Sequence, residues 1–251
     1  MQTFISLTSI FDNQQALIHT LNSIKQQTLK PDKCFVFLST EPYLLDKGFA
    51  DQQLPANIEA ILRDDLFEIR WVANTGPYRK LLPILQEKID EDCVIIAVDD
   101  DTSYEKNMIE NYINDFNTYN CVIASRSYTM KFENVQDISY KDRDTINRLN
   151  VYNFHTGKGG VLYHPKFFRN SASHIFDSMI YKEVCPFGDD IWFNFHRIAN
   201  KINCYIPPYS SYVQDNTTRY GLWNNINSKN NTNTIYMRKT IQKLKELGYD
   251  L

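Results

Sequence analysis

Val94-Ile95-Ile96-Ala97-Val98-Asp99-Asp100-Asp101 is the stretch on which the fold turns. Five apolar residues in a row, four of them β-branched, read as a strand buried on both faces, as parallel strands are. Three adjacent carboxylates then end it. In open α/β sheets, ligands bind outside the carboxyl ends of the strands.

Reading outward, the same alternation recurs on the N-terminal side. Phe4-Ile5-Ser6-Leu7 predicts a first strand, followed by the turn and cap residues Thr8, Ser9, Asp12 and Asn13. Leu17, Leu21 and Ile24 recur at helical spacing, and Pro31 closes that segment. Cys34-Phe35-Val36-Phe37-Leu38 and Ile69-Arg70-Trp71-Val72 are the next strands; residues 40–65 between them predict a loop with a short helix. Leu81, Leu82, Leu85 and Ile89 mark a helix leading into the acidic strand. Beyond the triplet, Met108, Ile109, Tyr112, Ile113 and Phe116 form an amphipathic helix, and Cys121-Val122-Ile123-Ala124 another strand. Strand and helix thus alternate over residues 1–124, the pattern of a doubly wound, mostly parallel sheet.

Residues 125–251 are organised differently. The stretch 125–155 is charged and Tyr-rich without a clean period and predicts a loop excursion. Gly159-Gly160-Val161-Leu162-Tyr163 predicts a tight turn into a strand, and Ile191, Trp192, Phe195 and Ile198 a helix directly after Asp189-Asp190. Residues 214–234, rich in Asn, Thr and Ser, are expected to be mobile. Ile235 to Leu247 predicts a terminal helix with Gly248 placed to stop it. No repeat or linker divides the chain, so a single α/β domain is expected.

Composition narrows the function classes. A formal net charge of −3 offers no basic surface for nucleic acid. The five cysteines are scattered with no Cys-x-x-Cys pair, which argues against a zinc site or a disulfide framework. The opening residues lack the basic-then-apolar pattern of a secretory signal. No apolar run approaches the roughly 20 residues of a membrane span. A cytoplasmic location is therefore expected.

Four features could carry chemistry. Asp99, Asp100 and Asp101 repel one another unless compensated, and a divalent cation removes that cost. Carboxylate oxygen suits Mg²⁺ or Mn²⁺. A solvated turn capping a helix that starts near Tyr104 accounts for the triplet equally well. In Cys185-Pro186-Phe187-Gly188-Asp189-Asp190-Ile191-Trp192, the acidic pair opens a helix, where the dipole favours carboxylates. A capped, charged first turn is the simpler account, and a general base acting on an acceptor hydroxyl is the functional one. Thr156-Gly157-Lys158-Gly159-Gly160 gathers three of only eight glycines, so the chain turns sharply or approaches something closely there. Gly76-Pro77-Tyr78-Arg79-Lys80 opens a helix with cations, against the dipole preference. This suits contact with an anion such as a diphosphate, or an ordinary surface pair.

Taken in order, six stretches resemble bacterial glycosyltransferases of the GT-A fold related to the family-2 group, the surface-glycan biosynthesis type. They are Ser6-Leu7-Thr8-Ser9-Ile10, Gln26-Gln27-Thr28-Leu29-Lys30-Pro31-Asp32-Lys33, Gly76-Pro77-Tyr78-Arg79-Lys80, Val98-Asp99-Asp100-Asp101, Gly159-Gly160-Val161-Leu162-Tyr163 and Asp189-Asp190-Ile191-Trp192. The resemblance implies a Rossmann-like sheet with residues 1–124 as the nucleotide-sugar-binding half and 125–251 as the acceptor half. It implies an Asp-X-Asp motif in which Asp99 and Asp101 hold Mn²⁺ or Mg²⁺ on the donor diphosphate, with Asp100 between them. Thr8 and Ser9, then Ser39 with Glu41, would line the nucleotide pocket, and Lys80 would lie near the nucleotide or diphosphate. Asp190 matches the catalytic base, with Asp189 the close alternative. The implied reaction is inverting transfer from a nucleotide-diphosphate sugar, a UDP-sugar above all, to a glycan or lipid-linked acceptor in capsule, lipopolysaccharide or other surface-glycan synthesis. A place at the inner face of the membrane goes with it. One departure stands out: such enzymes often add a C-terminal His to the metal, whereas the last His here is His196. Asp215, Asn224 or water would fill that place. A sugar-phosphate nucleotidyltransferase would want a Gly-rich basic loop where Thr8-Ser9-Ile10-Phe11-Asp12-Asn13 stands. A non-catalytic glycan-binding module would need no two acidic clusters.

Overall fold

The computed structural model describes residues 1–133, 135–216, 225–226 and 230–251. Its strands are β1 (Gln2–Thr8), β2 (Lys33–Leu38), β3 (Phe67–Trp71), β4 (Cys93–Ala97), β5 (Thr102–Tyr104), β6 (Val122–Ile123), β7 (Ser127–Thr129), β8 (Leu149–Asn150), β9 (Asn153–His155), β10 (Val161–Tyr163), β11 (Cys204–Tyr205) and β12 (Tyr212–Asp215). Around them lie α1 (Gln14–Lys25), α2 (Ala56–Leu62), α3 (Leu82–Glu87), α4 (Met108–Tyr119), α5 (Ala172–Ile175), α6 (Ser178–Val184), α7 (Asp189–Ala199) and α8 (Thr232–Glu246).

Eight strands form one sheet in the order β3-β2-β1-β4-β10-β6-β11-β8, which draws on both halves of the chain. The four strands from β3 to β4 are parallel. Their apolar runs explain this. Val94, Ile95 and Ile96 on β4, and Val36 and Leu38 on β2, have no exposed surface, so both faces of the sheet are covered. Burying each such side chain contributes about 1.5–3 kcal/mol. The fold is thus the expected α/β one: a mostly parallel central sheet flanked by helices.

The placement of β10 matters most for the site. It runs antiparallel between β4 and β6, with Val161 opposite Ala97 and Tyr163 opposite Ile95. Antiparallel pairing sets the start of β10 against the carboxyl end of β4. The glycine turn Gly157–Gly160 therefore arrives beside Asp99. Gly160 makes this turn with φ +71°, a conformation that glycine adopts without penalty.

Two expectations need correction. No helix starts near Tyr104: Thr102–Tyr104 is β5, paired antiparallel with β12, and Thr20 Oγ1 donates to Thr102 O at 2.8 Å, so the helix waits until Met108. The excursion 125–155 is partly ordered as a ribbon in which β7 pairs with β9. The helices α5 and α6 were not expected; at four and seven residues they are too short to display a 3.6-residue period. Of the stretch expected to be mobile, 217–224 and 227–229 lie outside the described residues, and Asn224 with them.

Candidate active site

A cleft of about 480 Å³ opens at the carboxyl ends of β1 and β4. Thr8, Ser9, Asn13, Lys80, Asp99, Asp100 and Asp101 line it from the first half of the chain. Lys158, Asp189 and Asp190 line it from the second, together with Arg126, Tyr128, Tyr140 and Arg143. The two acidic clusters, far apart in sequence, thus share one cavity.

Lys80 joins them. Its Nζ lies 2.9 Å from Asp99 Oδ1, 2.9 Å from Asp189 Oδ2 and 3.8 Å from Asp190 Oδ1. Burial pulls the ammonium's pKa down, but Asp189, Asp99 and Asp190 outweigh it and hold Lys80 well above its ordinary value. Gly157 completes the arrangement. Its N–H donates to both oxygens of Asp190 at 3.1 Å. A Cβ at this position would collide with Lys80 Nζ and stand 2.8 Å from Asp99 Oδ1, so close approach accounts for the glycine.

Within the triplet the three carboxylates have different environments. Asp99 pairs with Lys80, and its N–H donates to Tyr104 OH at 2.9 Å. Asp100 accepts from the Ser9 hydroxyl and from Asn13 Nδ2 at 3.2 and 3.3 Å. Burial above all, then the charge of Asp101, raises the Asp100 carboxyl to about 7. Asp190 is also raised to about 7, by burial first; Lys80 works against this and Asp189 and Asp99 with it.

The helix α7 places the acidic pair rigidly. Ile191, Trp192, Phe193, Phe195 and Ile198 are all buried, and Trp192 Nε1 donates to Ile175 O at 3.0 Å. Asn194 Nδ2 donates to Asp190 O at 2.7 Å. The N-cap is Gly188 and no side chain caps the helix. The capping account of Asp189 therefore gives way to its ion pair with Lys80.

Other expectations land as follows. Thr8 lines the cleft, although its hydroxyl donates to Phe37 O at 2.7 Å. Ser39 does not line it: the residue is fully buried and its hydroxyl donates to Val72 O at 2.7 Å, so its place at a strand end ties β2 to the chain after β3. Glu41 is exposed and accepts from Asn74 N at 2.6 Å. The surface-pair account of Arg79 and Lys80 fails, because both are buried against carboxylates, Arg79 on Asp46 at 2.8 Å. Asp215 is carried by β12 opposite Thr102 and pairs with Lys158. His196 is buried among Trp192 and Tyr249, where burial lowers it to about 3, and it does not line the cleft.

The sequence reading passed over Asn13 as a mere cap residue, and it did not place Asp46, Tyr104 or the Gly157 N–H. The glycine cluster signalled the last of these. Asn13 and Asp46 carry no local signal, since their partners lie 87 and 33 residues away.

Among the described residues, no group of three or more His, Cys, Asp or Glu side chains is placed to hold a metal ion. The carboxylates of Asp99 and Asp101 still fit Mg²⁺ or Mn²⁺, which commonly take one or two carboxylates and complete their shell with substrate phosphates and water, although Lys80 Nζ already holds Asp99 Oδ1 at 2.9 Å. Asp99 and Asp101 both face the cleft and are the pair that would serve.

No family model matches this chain, and no curated protein matches it. Solved structures do. The chain is similar to residues 1–349 of S. aureus TarS in complex with UDP, with TM-score 0.60 and 12% identity over 100% of this chain and 67% of that one. It is similar to the TarS 1–349 complex with UDP-GlcNAc, with TM-score 0.52 and 12% identity over 84% and 57%. For a longer TarS structure the values are TM-score 0.59 and 14% identity, over 100% and 40%. The chain thus spans between two fifths and two thirds of those structures. At this identity the likeness establishes the fold, a GT-A type of sheet.

Proposed function

We propose that the protein transfers a sugar from a nucleotide-diphosphate donor, a UDP-sugar, to a hydroxyl of a glycan or lipid-linked acceptor. The observation that carries this is the meeting of Asp99 and Asp101 with Asp189 and Asp190 in one cleft, across Lys80. Support also comes from a fold shared with structures solved with UDP and UDP-GlcNAc.

In this reading, residues 1–124 bind the donor. Thr8 and Ser9 face the nucleotide and diphosphate, with Lys80 beside them on Asp99 and Asp100 held in place by Ser9 and Asn13. Asp99 and Asp101 would hold Mn²⁺ or Mg²⁺. The cation, when bound, supplies positive charge against the departing diphosphate. Residues 125–251 bind the acceptor. Asp190 takes the proton from the attacking hydroxyl as the oxygen attacks the anomeric carbon. The Gly157 N–H keeps its carboxylate oriented and leaves oxygen lone pairs for that proton. A base on the far side of the sugar from the leaving group implies inversion. Exclusion of water protects the oxocarbenium-like state from hydrolysis. No helix among the described residues is long and apolar enough to cross a membrane. The proposed setting is surface-glycan synthesis in the cytoplasm, at the inner face of the membrane.

A panel of nucleotide sugars with Mn²⁺, with and without chelator, tests this. Release of UDP from at least one UDP-sugar is expected, abolished by chelation. Release of inorganic diphosphate from UTP and a sugar phosphate instead would identify a nucleotidyltransferase. Absence of turnover on every donor and acceptor would leave the proposal without support.

A further inference from the structure

Lys80 stands on the donor side in the proposed function, yet two of its three carboxylate partners belong to the acceptor side. Its Nζ touches Asp99 at the end of β4 and Asp189 at the start of α7, at 2.9 Å each, with Asp190 at 3.8 Å. Only 9% of the side chain is exposed. Its backbone is fixed as well: the Ser6 hydroxyl on β1 donates to Lys80 O. A pinned main chain, a buried stem and an ammonium with three hydrogens among three carboxylates describe a fixed strut rather than a mobile surface cation. Gly157, having no side chain, leaves the space that Nζ fills: a Cβ there would lie 2.4 Å from it.

We infer that Lys80 is a positioning residue that sets the distance between the donor-side carboxylate Asp99 and the base-bearing turn Asp189–Asp190. The inference rests on the proposed function and deepens it. Without the ammonium, the carboxylates repel one another, and α7's first turn moves away from β4. Misplacement of reacting groups by about 1 Å can cost about 10²-fold in rate. A diphosphate ligand would behave differently: its loss would weaken donor binding first.

The test is Lys80→Met, measured for kcat, donor KM and UDP affinity by calorimetry. Turnover should fall about 10²-fold while UDP affinity and donor KM change by less than about threefold. Lys80→Cys treated with 2-bromoethylamine restores an ammonium at nearly the original length. The parent protein treated in parallel controls for reaction at the five native cysteines, all of them buried. Turnover should return to within about tenfold of the parent. A stability arm needs no turnover: Lys80→Met should lower the urea midpoint by stranding Asp189, and adding Asp189→Asn should raise it again. If the unmodified protein turns over no nucleotide sugar while the stability arm behaves as expected, the proposed function fails and the strut stands. If Lys80→Met weakens UDP binding and keeps kcat, or Asp189→Asn brings no recovery, the strut is overturned.

Discussion

Two runs of adjacent aspartates meet in this cleft, and they are held in different ways. Asp99–Asp101 ends a strand whose burial is complete, and side chains from the first strand's turn, Ser9 and Asn13, hold its middle member. Asp189–Asp190 opens a helix, and a backbone N–H together with a lysine holds it. A carboxylate that must meet charge on a ligand can share its site with side chains that adjust. A carboxylate that must accept a proton needs fixed geometry and free lone pairs, which Gly157 and α7 provide. In the proposed function the triplet serves the donor and the pair the acceptor, and substitutions can break that assignment.

The largest effect is expected at the triplet. Asp99→Ala and Asp101→Ala should each abolish transfer and metal-dependent UDP binding, with circular dichroism and the urea midpoint showing an intact fold. Activity of either variant at the parent level in the presence of a chelator would remove the metal from the donor side. Next comes the pair. Asp190→Asn keeps the size and most hydrogen bonds but accepts no proton, so turnover should drop about 10²–10⁴-fold with UDP affinity nearly unchanged. Asp189→Asn leaves the base in place and should be milder. A variant pair in which Asp189→Asn loses turnover and Asp190→Asn loses nucleotide affinity would exchange the two roles.

How far these roles are legible in the sequence differs between the regions. β4 and its acidic end are plain, because five consecutive apolar residues leave few alternatives to a buried strand. α7 is plain because Ile191, Phe195 and Ile198 repeat at helical spacing. The meeting of the two clusters is not legible. It depends on β10 inserting antiparallel beside β4, and three residues of strand carry no topology. Lys80 reads as one half of a cationic pair, yet Arg79 and Lys80 point to different carboxylates, Asp46 and Asp99. Ser39 misleads in the other direction. A strand-end serine looks ready for a ligand, but its hydroxyl is spent on Val72 O. Which strand-end side chains face the cleft depends on where the neighbouring strand's chain runs next, and that is a tertiary fact.

A smaller effect is expected where the two regions touch. Gly157→Ala adds one methyl against Lys80, Asp99 and Asp190, whose Oδ1 would lie 3.3 Å away. These are ends of side chains, so they can yield, and overpacking of this kind costs about 1–3 kcal/mol. The fold should survive while turnover falls by roughly 10–10²-fold through displacement of the base. A Gly157→Ala enzyme with full turnover and unchanged stability would mean that the clusters tolerate separation, contrary to the strut assigned to Lys80.

Taken per pH unit, the smallest effect is the response to pH, and it runs in opposite directions for activity and stability. Burial raises the Asp190 carboxyl from its ordinary value to about 7. A base must be ionised, so kcat should fall by about tenfold for each pH unit below 7 and level off above it. Stability has the other sign. An unfolded aspartate titrates near 3.9, so between about pH 4 and 7 the folded chain binds a proton at this site that the unfolded chain has released. The stabilisation from that proton is complete below about pH 4 and is lost as pH rises through 7. The protein should therefore be more active and, through this group, less stable at pH 8 than at pH 5. Asp190→Asn has no proton to bind and should lose this part of the slope in urea midpoint against pH, even though its low turnover makes a rate profile hard to measure. Asp100, also raised to about 7, sits on the donor side, so its titration should surface in the pH dependence of UDP affinity rather than of kcat. A kcat that is flat from pH 5 to 8, together with an unaltered stability slope in Asp190→Asn, would show that Asp190 does not titrate in this range and would take the proton-acceptor role away from it.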